Sequence, residues 1–470
     1  MKNLLTTFII LIILMSLIST NITIVDSLNN NRDYYAKIYF FEFVRNTTHI
    51  LVQKALKLWQ EHGNKSYLIF PVYNQLKNRV KSPFDTRTLA FFIYAFMSTG
   101  NYAYLKYALR TANDIIKLNL TTNPAYFAWL FQFNRSYMAY AKRLINNIIK
   151  DITPSGLPGY NNKTYRLPWD VCSSTLAPLI KMYEYTQNKT YLDTATNVIF
   201  SIFKYLANNK TMLLNDGYRI NNSKIEIVDN FQRVYSAGLL ISNMLYLYLL
   251  SKNQTLLMLL KNYVKTIIKY FWMGNHWAYR VYSSGKIMYN YLETNFYKLD
   301  YALFLFYHYI ERNSTILKII KQSVNYALQK TRYGLFKHAS FTSDGLTYAQ
   351  LGSFVYLLKF LNLEDAITNR TYSVVNSFLK RYGFVQAVYL EDNIYGYPPY
   401  KHFDISEYGP CITFYSTAYM YSSLYLIANT TWMPFPLTYD PNVDLPLYPY
   451  FGYPSNSILI QKGQLIIINW

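Results

Sequence analysis

The stretch that decides the fold is Leu176-Ala-Pro178-Leu-Ile-Lys-Met-Tyr-Glu-Tyr185, then Thr186-Gln-Asn188-Lys189, then Thr190-Tyr191-Leu192-Asp193-Thr-Ala195. An apolar, Tyr-rich helical run meets a short break containing Asn, and a second, amphipathic run begins at once. The same order occurs at residues 89–98, with the break Thr99-Gly100-Asn101 and the continuation Tyr102-Ala-Tyr104-Leu105. Weaker copies break at Ser251-Lys-Asn253, at Glu311-Arg-Asn313-Ser314 and at Leu361-Asn362. Self-similarity at roughly 50 to 60 residues per unit is the mark of an array of helical hairpins.

Working outward, 3.6-residue periodicity predicts about fourteen helices in seven pairs. They cover 33–62, 82–96, 102–118, 124–131, 136–151, 171–186, 190–207, 234–250, 254–271, 296–311, 314–330, 346–361, 364–382 and 412–428. One member of each pair is nearly free of charge, as an interior helix must be, and its partner carries Lys on one face. Alternating inner and outer helices joined by short breaks close most naturally into an all-α (α/α)6-7 toroid. An open solenoid is the alternative, but it would need distinct polar caps. The tail is Pro- and Tyr-rich and turns β-like at 457–460 and 464–468, with Lys462-Gly463 between. The expected organisation is residues 1–27 as a leader or anchor, 28–431 as the toroid, and 432–470 as an appendage with a β-hairpin.

The first residues, Met1-Lys2-Asn3, precede an apolar run at 4–18 and then Ser19-Thr20-Asn21. That pattern fits a secretory signal, with an uncleaved anchor as the alternative. No later segment carries 18 uninterrupted apolar residues. Sequons of the form Asn-x-Ser/Thr start at Asn21, Asn46, Asn64, Asn119, Asn134, Asn162, Asn188, Asn209, Asn221, Asn253, Asn313, Asn369 and Asn429. About five would arise by chance, so the chain is expected to be a secreted or cell-surface glycoprotein, with an Asn- and Thr-rich composition as the plainer reading. Cys172 and Cys411 are the only cysteines, and in an oxidising compartment an even count permits one disulfide between them.

Lys and Arg outnumber Asp and Glu 46 to 25, a formal charge of +21. The basic residues are scattered singly, which argues against nucleic acid. An anionic glycan or a chain adapted to acid each fits the charge. The 51 tyrosines suit buried aromatic packing and stacking on sugar rings. No HExxH, GxSxG, Walker or CxxC pattern occurs, so no metal or nucleotide cofactor is expected.

The long connections, 152–170, 208–233, 272–295, 331–345 and 383–411, hold the Gly, Pro and aromatic clusters. All of them lead into inner helices, so a toroid gathers them on one rim. In or beside these connections and the other loops that lead into inner helices lie Asp85, Asp170, Asp229, Glu293, Asp344, Asp404 and Glu407, of only 25 acidic residues in all. Paired carboxylates in a cleft are what glycoside hydrolysis requires. Asp is also a preferred helix cap, and Asp85 and Asp170 look most like caps. Asp404 and Glu407, in His402-Phe-Asp404-Ile-Ser-Glu407-Tyr408-Gly409, look least like caps and are the candidate catalytic pair. Trp169, Asp170, Arg233, Tyr282, Asp344, His402 and Tyr408 are candidate substrate contacts. Arg166, His276 and His338 lie in the same connections.

From about 155 to 330 the chain resembles the C-terminal catalytic domain of the D-glucuronyl C5-epimerases. The resemblance is carried by Gly156-Leu-Pro158, by 169–185, by Thr186-Gln-Asn188-Lys-Thr-Tyr191, by Ser236-Ala-Gly238 and by Trp277-Ala-Tyr279-Arg280-Val-Tyr282-Ser283-Ser284-Gly285. It implies proton abstraction next to a uronate carboxylate, with Tyr279, Arg280, Tyr282 and Tyr297 supplying the base and the cation. The partner expected on all these grounds is a polysaccharide. The residues leave open an epimerase or lyase, a hydrolase, and a non-catalytic glycan-binding or surface-layer protein.

Overall fold

Three of the breaks in the repeat become a left-handed C-cap joined directly to an Asn N-cap, whereas at 311–313 the preceding helix ends on Ile310 in a right-handed conformation. The computed structural model describes residues 31–329 except 75–78, 160–162 and 293–295, and short segments at 331–332, 335–336, 345–347, 361, 385–389, 404–405, 459–461 and 464–466. Gly100, Gln187 and Lys252 close helices at φ 67°, 56° and 55°. The next residue in each case, Asn101, Asn188 or Asn253, starts the following helix and accepts a backbone N–H on its side-chain oxygen. The residue before is Thr99, Thr186 or Ser251, whose hydroxyl accepts the N–H of that Asn. Hydroxyl, left-handed residue and Asn thus satisfy the donors and acceptors that two abutting helix ends would leave bare.

The helices are α1 (Asn31–His62), α2 (Thr88–Thr99), α3 (Tyr102–Lys117), α4 (Pro124–Leu130), α5 (Tyr137–Lys150), α6 (Ala177–Thr186), α7 (Lys189–Leu206), α8 (Val234–Ser251), α9 (Gln254–Phe271), α10 (Tyr297–Tyr309) and α11 (Ser314–Gln329). Among the described residues, α2 onward forms five hairpins. The inner members α4, α6, α8 and α10 pack side by side, and α5, α7, α9 and α11 back them. Residues 234–247 of α8 and 297–306 of α10 are buried on every side, whereas α9 buries only Leu256, Leu260, Tyr263, Val264, Ile267 and Phe271. This is the all-α, α/α-toroid arrangement of inner and outer layers. Helix α8 is long and apolar enough to cross a bilayer, but it is enclosed by its neighbours and is a core helix.

Two features depart from expectation. The long connections carry strands: β1 (Val72–Asn74) with β2 (Arg79–Ser82), then β3 (Thr164–Arg166), β4 (Gly217–Asn221) and β5 (Lys224–Asp229) in one antiparallel sheet, and β6 (Phe231–Arg233), β7 (Arg280–Tyr282) and β8 (Ile287–Tyr289) in another. Each strand is only 3 to 6 residues long, too short for a period-2 signal. Second, α6 is preceded by a π-helix at Leu167–Leu176. Pro178 has no N–H for the carbonyl one turn back, and the backbone widens instead, with Ala177 N–H bonding Cys172 O. Thr175 Oγ1 and Ser173 Oγ likewise donate five residues back, to the carbonyls of Asp170 and Pro168.

The helix expected at 346–361 is not present at its start, because Gly345–Thr347 pairs as a strand with Val385–Tyr389. The rest of that helix and those at 364–382 and 412–428 lie outside the described residues. The tail hairpin is present, with Leu459 opposite Ile466 and Gln461 opposite Gln464. The leader region 1–27 lies outside the described residues.

A carboxylate and arginine cluster on the inner-helix rim

The two three-stranded sheets stand at the N-terminal ends of α6 and α8 and bring together residues far apart in the chain. Asp216, just before β4, is fully buried. Its Oδ2 accepts from the Arg233 backbone N–H at 3.0 Å, from Arg233 Nη1 at 2.9 Å and from Ser236 Oγ at 2.9 Å. The carboxylate thereby caps α8 and fixes the guanidinium that precedes it. Burial pushes its pKa up to about 6, against the opposing pull of Arg233. Burial also disfavours the charge on Arg233, but Asp216, Tyr235, Tyr279 and Asp229 outweigh it and leave the guanidinium more firmly protonated.

Asp229, at the end of β5, is mostly enclosed, and its Oδ2 is buried. Its Oδ2 lies 3.8 Å from Arg233 Nη2 and 3.9 Å from Arg166 Nε. These are ion-pair distances without a hydrogen bond, and this oxygen has no hydrogen-bond partner among the described residues. The position is made by Gly217, its cross-strand neighbour. A Cβ on Gly217 would fall 2.8 Å from the Cβ, Cγ and Oδ2 of Asp229. Gly217→Ala is therefore expected to displace this carboxylate, and on the reading proposed below to lower turnover about 100-fold with the circular dichroism spectrum unchanged. Full activity in that variant would remove Asp229 from the chemistry.

Asp170 lies in the first turn of the π-helix. Its Oδ2 accepts the Arg166 N–H at 2.8 Å and its Oδ1 accepts from Lys163 Nζ at 3.2 Å. The first of these is the capping contact its sequence position suggested, and Asp85 makes its own, accepting the Arg87 N–H and pairing with that guanidinium. Trp169 stands beside Asp170, with the Arg166 and Arg233 guanidiniums each 5.5 Å from its ring and Tyr235 at 6.1 Å. Phe231 lies between Arg233 at 4.8 Å and Arg280 at 5.0 Å. Arg280 Nη2 donates to the Tyr279 hydroxyl at 2.9 Å.

Of the residues singled out from sequence, Trp169, Asp170, Arg166, Asp229, Arg233, Tyr279 and Arg280 thus meet on one rim. Tyr282 joins them through the strand register, opposite Phe231. Tyr297 is buried at the start of α10 against Phe296 and Lys298. Asp344, His402, Glu407, Tyr408 and Cys411 lie outside the described residues, as does the side chain of Asp404, whose backbone is in a short strand. Cys172 is wholly buried in the π-helix, where burial pushes its thiol well up. No group of three metal-binding side chains occurs among the described residues.

Sequence reasoning missed Asp216, Ser236, Phe231 and Tyr235, which no motif marks. It also missed the Lys181–Glu184 pair at 3.3 Å, to which the Tyr246 hydroxyl donates at 2.9 Å, inside the far end of the inner layer. Asp300 was visible in principle as the lone acid in the apolar run of α10. It is fully buried, its Oδ1 accepts from Trp277 Nε1 at 2.7 Å, and burial drives its pKa to about 8. A value raised on folding adds stability that is complete below pH 3.8 and lost as the pH rises to about 8. Asp300→Asn, which keeps the acceptor for Trp277, should flatten stability between pH 5 and 8 and leave the variant the more stable at pH 8. Parallel urea midpoints for the two proteins would show Asp300 to be ionised at no cost.

Among the sequons, Asn46, Asn64, Asn119, Asn134, Asn188 and Asn209 are exposed, and Asn221, Asn253 and Asn313 half-buried. Asn162, Asn369 and Asn429 lie outside the described residues. Asn64, Asn134, Asn188 and Asn313 each accept the N–H of the Ser or Thr two residues on. Asx turns, two of them at helix starts, therefore supply a local reason for the Asn-x-Ser/Thr pattern.

Layers and rim define the chain as an α/α-toroid, and D-mannose isomerase is a solved structure of similar fold, with a TM-score of 0.50 and 11% identity over 68% of this chain and 98% of that one. More particularly, residues 132–352, just under half of the chain, match the model of glycosyl hydrolase family 76. A family 76 glycoside hydrolase from a bovine Bacteroides thetaiotaomicron strain aligns at 13% identity and a TM-score of 0.45, over 68% of this chain and 78% of that one. An inactive variant of an α-1,6-mannanase from Salegentibacter sp., in complex with α-1,6-mannotriose, aligns at 12% identity and a TM-score of 0.42, over 62% and 87%. No curated protein matches the sequence.

Proposed function

We propose that this chain is a glycoside hydrolase that cleaves a polysaccharide at the rim of the toroid. The observation that carries the reading is Asp229, a carboxylate oxygen facing two guanidiniums with no hydrogen bond made, beside Trp169 and inside the stretch that matches family 76. Hydrolysis needs a second carboxylate, and Asp170 is held by the same Arg166 that faces Asp229. In this reading Asp229 and Asp170 divide between them the roles of the base or nucleophile at the anomeric centre and of the acid at the departing oxygen. Arg166 and Arg233 orient Asp229, and Asp216 holds Arg233. Export is part of the proposal and rests on the apolar start of the chain and the exposed sequons.

Because the matching family includes an α-1,6-mannanase, linear α-1,6-manno-oligosaccharides are the first substrates to test, alongside uronate polymers. Release of reducing ends from the mannosides, lost in the Asp170→Asn, Asp229→Asn double variant, is the expected result. Cleavage that survives in the double variant and disappears in Asp404→Asn would move the catalytic pair to the 383–411 connection. A second reading, proton abstraction at C5 of a uronate, is favoured by the Arg280 hydrogen bond to the Tyr279 hydroxyl, which leaves that oxygen placed as an acceptor. Deuterium incorporation at C5 in heavy water would support it over hydrolysis.

A further inference from the structure

The sheet β6–β7–β8 carries a row of side chains that begins at Arg233 of the hydrolytic cluster and runs on beyond it through residues the hydrolytic reaction does not use. The register places Arg233 opposite Arg280, and Arg280 opposite Tyr289. A bulge breaks the register after Arg280, but its guanidinium reaches the Phe231 ring at 5.0 Å and the Tyr289 ring at 5.5 Å, so the row spans two strand spacings, roughly 10 Å. The row starts at the ion-pair cluster with Arg233 and ends on the edge strand β8. Tyr289 is 42% exposed there, large for an aromatic ring held in place by neighbours.

Its neighbours do hold it. Tyr279, Tyr289 and Tyr291 form a triangle of rings with centroid separations of 6.4, 5.4 and 5.8 Å, and Tyr279 and Tyr289 are inclined by only 23°. The Arg280 guanidinium lies 4.6 Å from the Tyr279 ring and 5.5 Å from that of Tyr289. Arg280 makes no ion pair among the described residues, and its buried Nε–H has no hydrogen-bond acceptor there. A cation stacked under aromatic rings anchors them in place. Exposed, pre-positioned tyrosines give contact area at little entropic cost, and each has a flat apolar face with a hydroxyl at its edge.

We propose that Tyr289, with Tyr279 and Tyr291, is a second sugar-binding subsite: a stacking platform for a neutral pyranose of the same glycan, outside the bond that is cleaved. The inference rests on the hydrolase reading for the position of that bond. Its occupant follows from continuity, since the row Arg233–Arg280–Tyr289 leads from the carboxylates straight to the platform. A short oligosaccharide ends before reaching it and a long one covers it.

The test compares α-1,6-mannotriose with the hexaose on wild type, Tyr289→Ala and Tyr289→Phe, by kcat and KM and by calorimetric binding. The expected result is that Tyr289→Ala raises KM for the hexaose about tenfold with kcat unchanged, leaves the triose unaffected, and is rescued by Tyr289→Phe, which keeps the ring. Equal effects on both lengths, or none on either, would overturn the subsite. If wild type cleaves neither sugar, the hydrolase reading fails, and binding then decides the platform alone. Tighter binding of the hexaose than of the triose, erased by Tyr289→Ala and kept by Tyr289→Phe, supports it, and length-independent or absent binding overturns it.

Discussion

On the proposed hydrolase reading, Asp229→Asn is expected to lower kcat about 1,000-fold on the glycan substrate and to leave the unfolding midpoint unchanged. The substitution keeps the volume of the side chain and its fit against Gly217, but removes the charge and the basic oxygen. Arg166 and Arg233 stay in place, because Arg233 is held by the buried Asp216 rather than by Asp229. The alternative role for Asp229 is a counter-ion for the two guanidiniums. In that case the variant would lose stability through two repelling cations and retain most of its turnover. The two roles thus predict opposite effects on two measurable quantities, and the kinetics and the urea midpoint of one variant separate them.

Gly238→Ala costs about 3 kcal/mol of stability. Helices α8 and α10 are in tight contact at this residue, where a Cβ would lie 2.5 Å from the carbonyl carbon of Lys298, 2.6 Å from Leu299 N and 2.7 Å from Lys298 O. These are backbone atoms in the middle of the inner layer and have no room to turn aside. Intrinsic helix propensity alone would favour Ala over Gly by about 1 kcal/mol. The sign of the change therefore reports whether the tight packing of inner helices governs the site. A denaturant midpoint that rises in the variant would mean that the two helices are not in contact as described.

Much of the architecture was readable because it is local. The break Thr186-Gln-Asn188 encodes a C-cap and an N-cap in three residues, and the burial of α8 follows from its lack of charge. The π-helix was not readable. The pattern of 167–186 is helical in either form, and only the competition between Pro178 and the hydroxyls of Ser173 and Thr175 selects the wider turn. The rim sheets were hidden for a related reason, since strands such as Phe231–Arg233 are held by partners 50 residues away rather than by their own periodicity.

The candidate site was readable in part. Concentrating on carboxylates in the long connections found Asp170 and Asp229, and the aromatic-basic clusters found Trp169, Arg233 and Arg280. It could not find Asp216, whose importance comes from the three hydrogen bonds it accepts and not from its neighbours in sequence. It did pick out Asp170 as a cap, and the Arg166 N–H that its carboxylate accepts fits that reading. The buried acids Asp216 and Asp300 also give the molecule a bias toward acid, because both add stability that is lost as the pH rises.

The most direct measurement of the central claim is the mass of the products formed by the wild-type protein from a defined α-1,6-manno-oligosaccharide. Hydrolysis at the rim predicts fragments whose masses sum to the substrate plus one water for each bond broken, and no such fragments from Asp229→Asn. Fragments that sum to the substrate with no water gained, or an unbroken chain with wild type and variant alike, would contradict it.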